Sequence, residues 1–427
     1  MTPASTALTI TPAQRLRGRL TLPADKSIAH RALIFAALSG GPSTVSMRSP
    51  GRDILSTLEC LQALGVSIEH SAEQYVIIDR PSRGGELDCG NSGTTMRMLA
   101  GAVAGMPLTV RLDGDASLRA RPMERVATVL RAAGAEVMTT DGHAPVTIVG
   151  RNPLVPAPHR LPVASAQLLG AAVLAGMCAA GETTIDTPGP TRDHTERMLA
   201  FYGVPIHRDG RVTTVTGPAR PRPFELTVPG DPSAASAWLV AAALHPDAEL
   251  TMMDVGLNPT RLGLVGLLQR MGVAIETSVT DVSGPEPVGE ISVRGGSPLR
   301  AVNVGGGEVA ELIDELPLIA IAMASVEEVS EVRNASELRV KETDRIAAVV
   351  AGLDAIGAQV EELSDGWRVR KGSPRNARIT THGDHRIAIA FAIAAVTGVA
   401  SAVELDDPHC VGVSYPEFWD DLVMVRG

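Results

Sequence analysis

The charged string RVKETDR and an acidic pair upstream of it contain the groups most able to carry out chemistry. Lys341 and Arg345 are four residues apart, so on a helix they would share one face, with Glu342 on a neighbouring face. Asp314 and Glu315 precede an apolar segment. Cations can hold an anionic substrate while carboxylates exchange protons with it. A solvated ladder of ion pairs, or an ordinary helix-capping pair at Asp314 and Glu315, are alternatives that the residues leave open.

More cations and small polar residues occur where alanine-rich apolar segments begin and in the loops between those segments. They are Lys26, Ser27, Arg31, Asn91, Gly93, Thr94, Arg97, Arg119, Arg121, Ser165, Gln167, Arg192, Asp384, His385 and Arg386. One such cation is usually a solvated surface residue, and Gly93 or His385 could be purely structural. Repeated cations at helix N-termini oppose the helix dipole unless an anion binds there. The set therefore predicts a site for a multiply charged anion.

Composition excludes several classes of function. The chain has 427 residues, 44% apolar and 20% charged, with a net charge of −10 and only 3% aromatic residues. This favours a two-domain globular protein and disfavours nucleic-acid partners. The four cysteines form no C-x-x-C pair, and phosphate-loop, dinucleotide and zinc patterns are missing. We expect a cytoplasmic monomer that acts on small molecules, without a membrane partner, a metal or an organic cofactor.

An internal repeat organises the sequence. Four Leu-x-x-x-Gly phrases end at Gly65, Gly134, Gly203 and Gly272, each 69 residues after the previous one, and a fifth ends at Gly357 after 85 more. Each phrase predicts a solvent-facing helix with a left-handed glycine cap, followed by a strand. Interleaved with them are six apolar helices, beginning in DKSIAHR, GNSGTTMR, ASAQLLG, GDPSAAS, IDELPLI and GDHRIAI. The chain is therefore predicted to contain six α/β repeats.

Three repeats per domain is the natural division of this pattern. The proline-rich segment GPARPRPFELTVPG separates the third repeat from the fourth. We therefore expect an N-terminal lobe of residues 15–228 and a C-terminal lobe of residues 1–14 plus 229–427. Parallel inner helices would present their unpaired N–H groups on one face of each lobe and form an anion trap. A repeat scaffold without chemistry is the alternative.

The motifs DKSIAHR, GNSGTTMR, RARPM, ASAQ, GDPSAA, ELRVKETDR, GDHRIA and YPEF occur in the order typical of EPSP synthases. The resemblance runs from about residue 18 to 420. It implies a two-domain inside-out α/β barrel of the enolpyruvyltransferase type that closes about a hinge. It also implies transfer of the enolpyruvyl group of phosphoenolpyruvate to the 5-hydroxyl of shikimate 3-phosphate, a step of aromatic amino-acid biosynthesis.

The resemblance further implies roles for individual residues. Shikimate 3-phosphate would contact Lys26, Ser27, Arg31, Ser165, Ala166, Gln167, Arg192, Asp314 and Lys341. Phosphoenolpyruvate would contact Lys26, Asn91, Gly93, Thr94, Arg121, Gln167, Arg345, His385 and Arg386. Asp314 would accept the hydroxyl proton, Glu342 would protonate the methylene carbon, and Lys26 would stabilise charge. Which group moves which proton in each step stays open.

Several positions depart from the family pattern or distinguish this chain from related enzymes. Glu337 stands where many members have asparagine, and Val413 stands where many have lysine. Gly93 stands where glyphosate-tolerant relatives carry alanine, which predicts inhibition by glyphosate. The sister enzyme acting on UDP-N-acetylglucosamine has a cysteine five residues before its lid arginine, whereas this chain has Ala116 before Arg121. That enzyme and a non-catalytic protein that binds phosphate ligands are the alternatives.

Overall fold

The computed structural model describes residues 7–426, in which short strands and helices alternate along the chain. The strands are β1 (Leu8–Ile10), β2 (Leu16–Thr21), β3 (Ser43–Ser46), β4 (Ile68–Ser71), β5 (Gln74–Ile77), β6 (Gly85–Asp88), β7 (Thr109–Asp113), β8 (Glu136–Thr140), β9 (His143–Val149), β10 (Pro158–Arg160), β11 (Glu182–Asp186), β12 (Ile206–Asp209), β13 (Val212–Thr216), β14 (Glu225–Thr227), β15 (Ala248–Gly256), β16 (Ala274–Asp281), β17 (Val288–Arg294), β18 (Asn303–Val304), β19 (Ser330–Val332), β20 (Gln359–Leu363), β21 (Gly366–Arg370), β22 (Asn376–Ile379) and β23 (Ala402–Leu405). The helices are α1 (Lys26–Leu38), α2 (Arg52–Ala63), α3 (Gly93–Ala104), α4 (Ala116–Arg119), α5 (Glu124–Ala132), α6 (Ala166–Gly176), α7 (His194–Phe201), α8 (Pro232–Leu244), α9 (Gly263–Met271), α10 (Glu308–Leu312), α11 (Leu316–Met323), α12 (Arg345–Ala355), α13 (His385–Val396) and α14 (Phe418–Arg426).

Each repeat has its own small sheet. The strand orders are β14-β3-β5-β4, β6-β7-β9-β8, β10-β11-β13-β12, β2-β15-β17-β16, β18-β19-β21-β20 and β22-β23-β1. In every sheet one pair of strands is parallel and the remaining pairs are antiparallel. The repeat seen in the sequence is therefore also a repeat of sheet topology.

The six predicted apolar helices are confirmed as α1, α3, α6, α8, α11 and α13, and nearly all of their residues are buried. Five of them begin at a side chain that accepts a hydrogen bond from a backbone N–H of the first turn. These caps are Asp25, Ser92, Ser165, Asp231 and Asp384. Glu315, at the start of α11, makes no such bond.

The predicted glycine caps are also confirmed. The backbone φ angle is +88° at Gly65, +93° at Gly134, +87° at Gly203, +104° at Gly272 and +92° at Gly357. These values fall in the left-handed region, where glycine ends a helix without steric cost. The helices that precede them are α2, α5, α7, α9 and α12, each followed by a strand of its own repeat.

Contacts divide the described chain into two compact units. The central unit consists of residues 24–228 and 283–286, and the terminal unit consists of residues 7–23, 229–282 and 287–426. Each unit contains three repeats and one continuous apolar core formed by its own inner helices.

Two details of this division differ from the expected lobes. Residues 15–23 lie in the terminal unit because β2 pairs in parallel with β15. Residues 283–286 lie in the central unit, where Glu286 Oε1 is 2.7 Å from His194 Nδ1 and both side chains are buried. Neither pairing is a local feature of the sequence.

The inner helices approach closely enough that small residues are required between them. A Cβ atom added at Gly101 of α3 would lie 2.4 Å from the carbonyl oxygen of Ala171 on α6, which real Cβ atoms do not tolerate. In the terminal unit an outer and an inner helix are equally close, because a Cβ atom at Gly352 of the outer helix α12 would lie 2.0 Å from the ring of Phe391 on the inner helix α13. These contacts hold the helix N-termini, and the polar residues on them, in fixed relative positions.

Candidate active site

In the central unit a chain of buried hydrogen bonds joins the N-terminal parts of α1, α2 and α3. His30 Nδ1 is 2.7 Å from Thr57 Oγ1, which is 2.7 Å from Thr95 Oγ1, and Thr95 donates to Ser92 Oγ at 2.7 Å. Burial, followed by the charge of Lys26, lowers the pKa of His30 to about 3. His30 is therefore neutral at physiological pH and acts as a structural link among cations.

The first repeat places two cations at the start of α1. Lys26 is the first residue of the helix and forms an ion pair with Asp53 of α2. Arg31 is buried, donating from Nε to Thr195 Oγ1 at 2.8 Å and from Nη1 to the Ser27 carbonyl at 2.8 Å. Burial lowers the pKa of Arg31 to about 10, so the side chain remains cationic at neutral pH.

Gln167 joins the second and third repeats. Its Nε2 donates to Thr94 Oγ1 at 2.8 Å, and its Oε1 accepts from Arg97 Nη1 at 2.7 Å. Beside this bridge, Arg121 Nη2 donates to Asn91 Oδ1 at 2.6 Å. The amide groups thus orient both guanidinium groups.

Gly93 is the first residue of α3 and lies against these two arginines. A Cβ atom at this position would be 2.6 Å from Arg97 Nη1 and 3.3 Å from Arg121 Nη1. The glycine therefore allows the guanidinium groups to lie close to the helix N-terminus. Any side chain here would displace the end of the Arg97 side chain first.

The remaining residues expected in this unit belong to the third repeat. Ser165 caps α6 by accepting from Leu168 N at 3.3 Å, and Ala166 is the first helical residue. Arg192 lies half-buried ahead of α7. Its charge adds to burial in lowering the pKa of Arg31, as expected for neighbouring guanidinium groups.

In the terminal unit three cations surround one carboxylate. Asp314 Oδ1 is 3.5 Å from Lys341 Nζ and 3.7 Å from Arg345 Nη1, and Oδ2 is 3.8 Å from Arg386 Nη2. Arg386 also donates from Nη1 to the Asp314 carbonyl at 2.9 Å. The Asp314 side chain keeps 19% of its surface exposed, so it remains accessible to a small molecule.

Arg345 contacts three carboxylates of the terminal unit, those of Asp314, Glu342 and Asp384. Its Nε and Nη2 donate to the two oxygens of Asp384 at 2.7 and 3.2 Å, and Nη2 is 2.6 Å from Glu342 Oε2. Its side chain is 1% exposed. Burial alone would lower the pKa of Arg345, but the charges of Asp384, Glu342 and Asp314 reverse this and raise it. For Asp384, burial would raise the pKa, but Arg345 lowers it.

The prediction that Lys341 and Arg345 share one face of a helix is wrong. Residues 336–340 form a 3₁₀ turn, Lys341 has an extended backbone, and α12 begins only at Arg345. Asp344 sets this start because its side chain accepts from Ala347 N at 3.1 Å. Both cations nevertheless reach Asp314, because the chain turns back toward it before the helix begins.

A polar cluster that the sequence did not single out links α8 to α11. Ser233 Oγ donates to Glu315 Oε1 at 2.5 Å, and Arg261 Nη2 donates to both Asp231 Oδ1 and Ser233 Oγ at 2.9 Å. The string GDPSAA, which contains Asp231 and Ser233, was informative only as part of the family resemblance. His385, the first residue of α13, is buried at the corresponding position of the sixth repeat.

The two departures from the family pattern lie in short turns. Glu337 is exposed in the 3₁₀ turn at residues 336–340, and Val413 is partly exposed at the end of the turn Pro408–Val413. Neither position brings a further cation to the site.

Between residues 7 and 426 no group of His, Cys, Asp and Glu residues could hold a metal ion. Over the same range, no helix combines the length and the apolar character needed to cross a membrane.

Comparison with known proteins gives a consistent match. The family model for EPSP synthase (3-phosphoshikimate 1-carboxyvinyltransferase) matches residues 10–422. The protein named 3-phosphoshikimate 1-carboxyvinyltransferase from Roseiflexus castenholzii is 46% identical, over 97% of this chain and 98% of its own. The protein of the same name from Herpetosiphon aurantiacus is 42% identical, over 98% of this chain and 99% of its own. The solved EPSP synthase of Acinetobacter baumannii, 34% identical over 98% of both chains, superposes with a TM-score of 0.85. The enolpyruvyl transferase NikO of Streptomyces tendae, 20% identical with a TM-score of 0.78 over 99% of this chain and 98% of its own, shares the fold. The predicted α/β class is confirmed.

Proposed function

Because the chain belongs to the EPSP synthase family, we propose that it transfers the enolpyruvyl group of phosphoenolpyruvate to the 5-hydroxyl of shikimate 3-phosphate and releases phosphate. Within that family, the observation that supports catalysis is the position of Asp314. Its carboxylate has Lys341, Arg345 and Arg386 within 4 Å. A carboxylate beside cations lies where it can exchange a proton with substrates that those cations hold.

The charge of the substrates explains the number of cations. Each substrate carries a carboxylate and a phosphate of roughly −1.5 to −2, so together they bring about five negative charges. In the central unit we propose Lys26, Ser27, Arg31, Ser165, Ala166, Gln167 and Arg192 as contacts of shikimate 3-phosphate. From the same unit we propose Asn91, Gly93, Thr94 and Arg121 as contacts of phosphoenolpyruvate. Arginine is suited to both groups because its guanidinium binds carboxylate and phosphate with two hydrogen bonds.

The terminal unit would supply the groups at the reacting atoms. We propose Asp314 and Lys341 at the 5-hydroxyl of shikimate 3-phosphate. Arg345, His385 and Arg386 would hold phosphoenolpyruvate. Asp384 keeps Arg345 in place by two hydrogen bonds, so this cation needs no reorganisation when the substrate arrives.

The proposed reaction begins with addition. The 5-hydroxyl oxygen forms a bond to C2 of phosphoenolpyruvate, and its proton passes to Asp314. The C2–C3 double bond takes a proton from Glu342, so C3 becomes a methyl group. Lys26 stabilises the charge that develops on the phosphate side. The product of this step is a tetrahedral intermediate that carries both substrates.

Elimination then completes the transfer. The C2–O bond to phosphate breaks, and phosphate leaves with the electron pair and takes up the proton that Asp314 had accepted, so Asp314 is again a carboxylate. A proton returns from the methyl group to Glu342, which restores the C2–C3 double bond and yields the enol ether. The opposite assignment, with the acid and base exchanged between the steps, balances equally well.

Phosphate release from the purified protein is the direct test. We expect release only when shikimate 3-phosphate and phosphoenolpyruvate are both present, with the enol ether visible by proton NMR. UDP-N-acetylglucosamine in place of shikimate 3-phosphate should give no release. Activity with the sugar nucleotide alone would favour the sister enzyme, and binding of both substrates without release would favour a non-catalytic binding protein.

We further propose that the enzyme works as a monomer in the cytoplasm. The net charge of −10 supports the monomer, because like charges oppose self-association. The four free cysteines support a reducing compartment. Light scattering of the purified protein at several concentrations measures its mass, and fractionation of cells locates it. A concentration-dependent increase in mass would contradict the monomer.

A further inference from the structure

The central unit contains a cavity at the opposite end of its inner helices from the candidate site. The cavity has a volume of about 540 Å³ and lies beside the C-terminal ends of α1, α3 and α6. Its apolar wall consists of Leu38, Met106, Leu174 and Met177. These helices have 11 to 13 residues, so the cavity is separated from the cations at their N-termini by about 15–20 Å.

Two arginines, Arg80 and Arg220, line this cavity together with the polar side chains of Ser82 and Asn152. Neither guanidinium forms a hydrogen bond or an ion pair anywhere in residues 7–426, and Arg80 Nε is buried without a partner. Burial, and after it the charge of Arg220, lowers the pKa of Arg80, as expected for guanidinium groups that are close together. Arg80 is half-buried and Arg220 is exposed, so the two like charges repel one another beside an apolar wall, and an anion between them would relieve that repulsion.

The helix ends do not account for this arrangement. Cations do stabilise helix C-termini, where they usually bind the last carbonyl oxygens. Neither Arg80 nor Arg220 donates to such a carbonyl in the part of the chain that the structure describes. A ligand with a negative group for the arginines and an apolar body for the wall satisfies both features.

We propose that this cavity binds a small organic carboxylate, with the carboxylate between Arg80 and Arg220 and its apolar body against Leu38, Leu174 and Met177. Inorganic phosphate would leave the apolar wall uncovered, and a neutral apolar molecule would leave both charges unpaired. The volume falls in the range of ordinary small-molecule sites. The site is separate from the one that holds the substrates.

Cys178 provides a reporter inside the cavity. Its side chain lines the cavity and is partly exposed, whereas the other cysteines, Cys60, Cys89 and Cys410, are buried. Burial raises the pKa of Cys178, and the charges of Arg80 and Arg220 oppose that shift. Alkylation of Cys178 should therefore be slow, measurable and sensitive to any molecule that occupies the cavity.

The experiment measures the alkylation rate of Cys178 by iodoacetamide, using peptide mass spectrometry on the full chain. We expect 3-phenylpropanoate to slow alkylation in a saturable way and the matched neutral amide, 3-phenylpropanamide, to have little effect. Arg80→Gln and Arg220→Gln should each weaken the apparent affinity for the carboxylate by about tenfold. Arg151→Gln, an exposed arginine that does not line the cavity, should leave protection unchanged.

Turnover of each variant with the two proposed substrates, or its melting temperature, establishes that it has folded. Arg220 is exposed at the rim, so Arg220→Gln tests the proposal even where Arg80→Gln fails to fold. Equal protection by the acid and the amide would overturn the proposal, because the arginines would then play no part. Full protection in both arginine variants, or no protection by the carboxylate in wild type, would overturn it as well.

Discussion

The candidate residues of the central unit (the central half of the set) and those of the terminal unit (the terminal half) hold their cations in different ways. In the central unit, Arg31, Arg97 and Arg121 donate to hydroxyl and amide oxygens of uncharged side chains. In the terminal unit, Arg345 and Arg386 contact carboxylates, with Asp314 common to both. A carboxylate partner offsets the charge of a cation, whereas an amide or hydroxyl partner does not. Lys26, which pairs with Asp53, is an exception in the central unit.

This difference separates two tasks. The central half presents net positive charge at helix N-termini, and it is suited to bind phosphate and carboxylate groups. The terminal half combines acids with cations, and it is suited to move protons near bound anions. Substitutions in the central half should therefore change KM most, and substitutions at Asp314 should change kcat most.

The largest effect is expected for Asp314→Ala. If Asp314 accepts the hydroxyl proton, kcat should fall by roughly 10²–10⁴-fold while shikimate 3-phosphate still binds. Stopped assays of phosphate release and calorimetric titration with shikimate 3-phosphate measure the two quantities. Glu311→Ala, in the preceding turn of chain, is the control and should retain turnover. Near-normal kcat in Asp314→Ala would remove this residue from the proton transfer.

The next effect concerns two aspartates that both cap a helix and pair with an arginine. Asp384 pairs with buried Arg345, whereas Asp344 pairs with Arg339, where both side chains are about one-third exposed. Asp384→Asn should cost about 3 kcal/mol, because buried Arg345 loses the carboxylate that accepts two of its hydrogen bonds and keeps only Glu342 and Asp314 as charged partners. Asp344→Asn should cost less than about 1 kcal/mol. Thermal melting of both variants at pH 7 is the measurement.

The pKa of Asp384 also sets the pH dependence of this comparison. Because folding lowers that pKa below its ordinary value of 3.8, the stabilisation is complete above about pH 4 and is lost as the pH falls below it. The difference in melting temperature between wild type and Asp384→Asn should therefore shrink on acidification. A difference that stays constant down to pH 3 would contradict this assignment.

Gln167→Ala tests the central half. Gln167 orients Arg97 and Thr94 through two hydrogen bonds, so its loss should weaken substrate binding by about tenfold. We expect KM to rise while kcat changes much less, which is the reverse of the pattern at Asp314. Steady-state kinetics for each substrate gives both values. An equal fall in kcat would place Gln167 in the chemical step instead.

Gly93→Ala should have a smaller and selective effect. The added methyl would meet Arg97 Nη1 at 2.6 Å and displace it, and the longer glyphosate molecule tolerates a narrowed site less well than phosphoenolpyruvate. We expect the inhibition constant of glyphosate to rise by roughly tenfold and KM for phosphoenolpyruvate to rise less. Competition assays on wild type and variant measure this. A wild type that is already tolerant would direct attention to Val413.

The smallest expected effect is a pH dependence of the central unit at His30. Its pKa of about 3 in the folded protein lies below the ordinary 6.5, so the unfolded state binds a proton first as the pH falls. Stability is therefore lost between about pH 6.5 and 3, by at most about 1.4 kcal/mol per pH unit. Between pH 8 and 5.5 the melting temperature of His30→Gln should fall less than that of wild type. His207→Gln, at an exposed position, should behave as wild type does.

Features that depend on neighbouring residues were predictable from the sequence. The helix starts in DKSIAHR and GNSGTTMR and the left-handed turn at Gly272 were predicted because helix ends depend on residues within about one turn of the chain. The recurrence of these signals at regular spacing gave the six repeats. The family resemblance then indicated which polar residues would serve the reaction.

Features that depend on distant residues were not predictable in this way. The bridge from Gln167 to Thr94 joins side chains 73 residues apart, and nothing local in either segment indicates it. The prediction that Lys341 lies on a helix is wrong because Asp344, three residues later, caps the helix at its start. The pairing of β2 with β15 likewise requires the whole intervening chain.

That strand pairing also orders the events of synthesis. The central unit is almost one continuous stretch of chain inserted between β2 and its partner β15. At roughly 5–20 residues per second, β2 leaves the ribosome on the order of ten seconds or more before β15 exists. During that interval the three repeats of the central unit already have nearly all the strands and helices against which they pack. The strand β2 of the terminal unit, in contrast, has no strand with which to pair. Nascent-chain folding should therefore proceed from the middle of the protein outward, and β2 is the segment most in need of protection from wrong pairing.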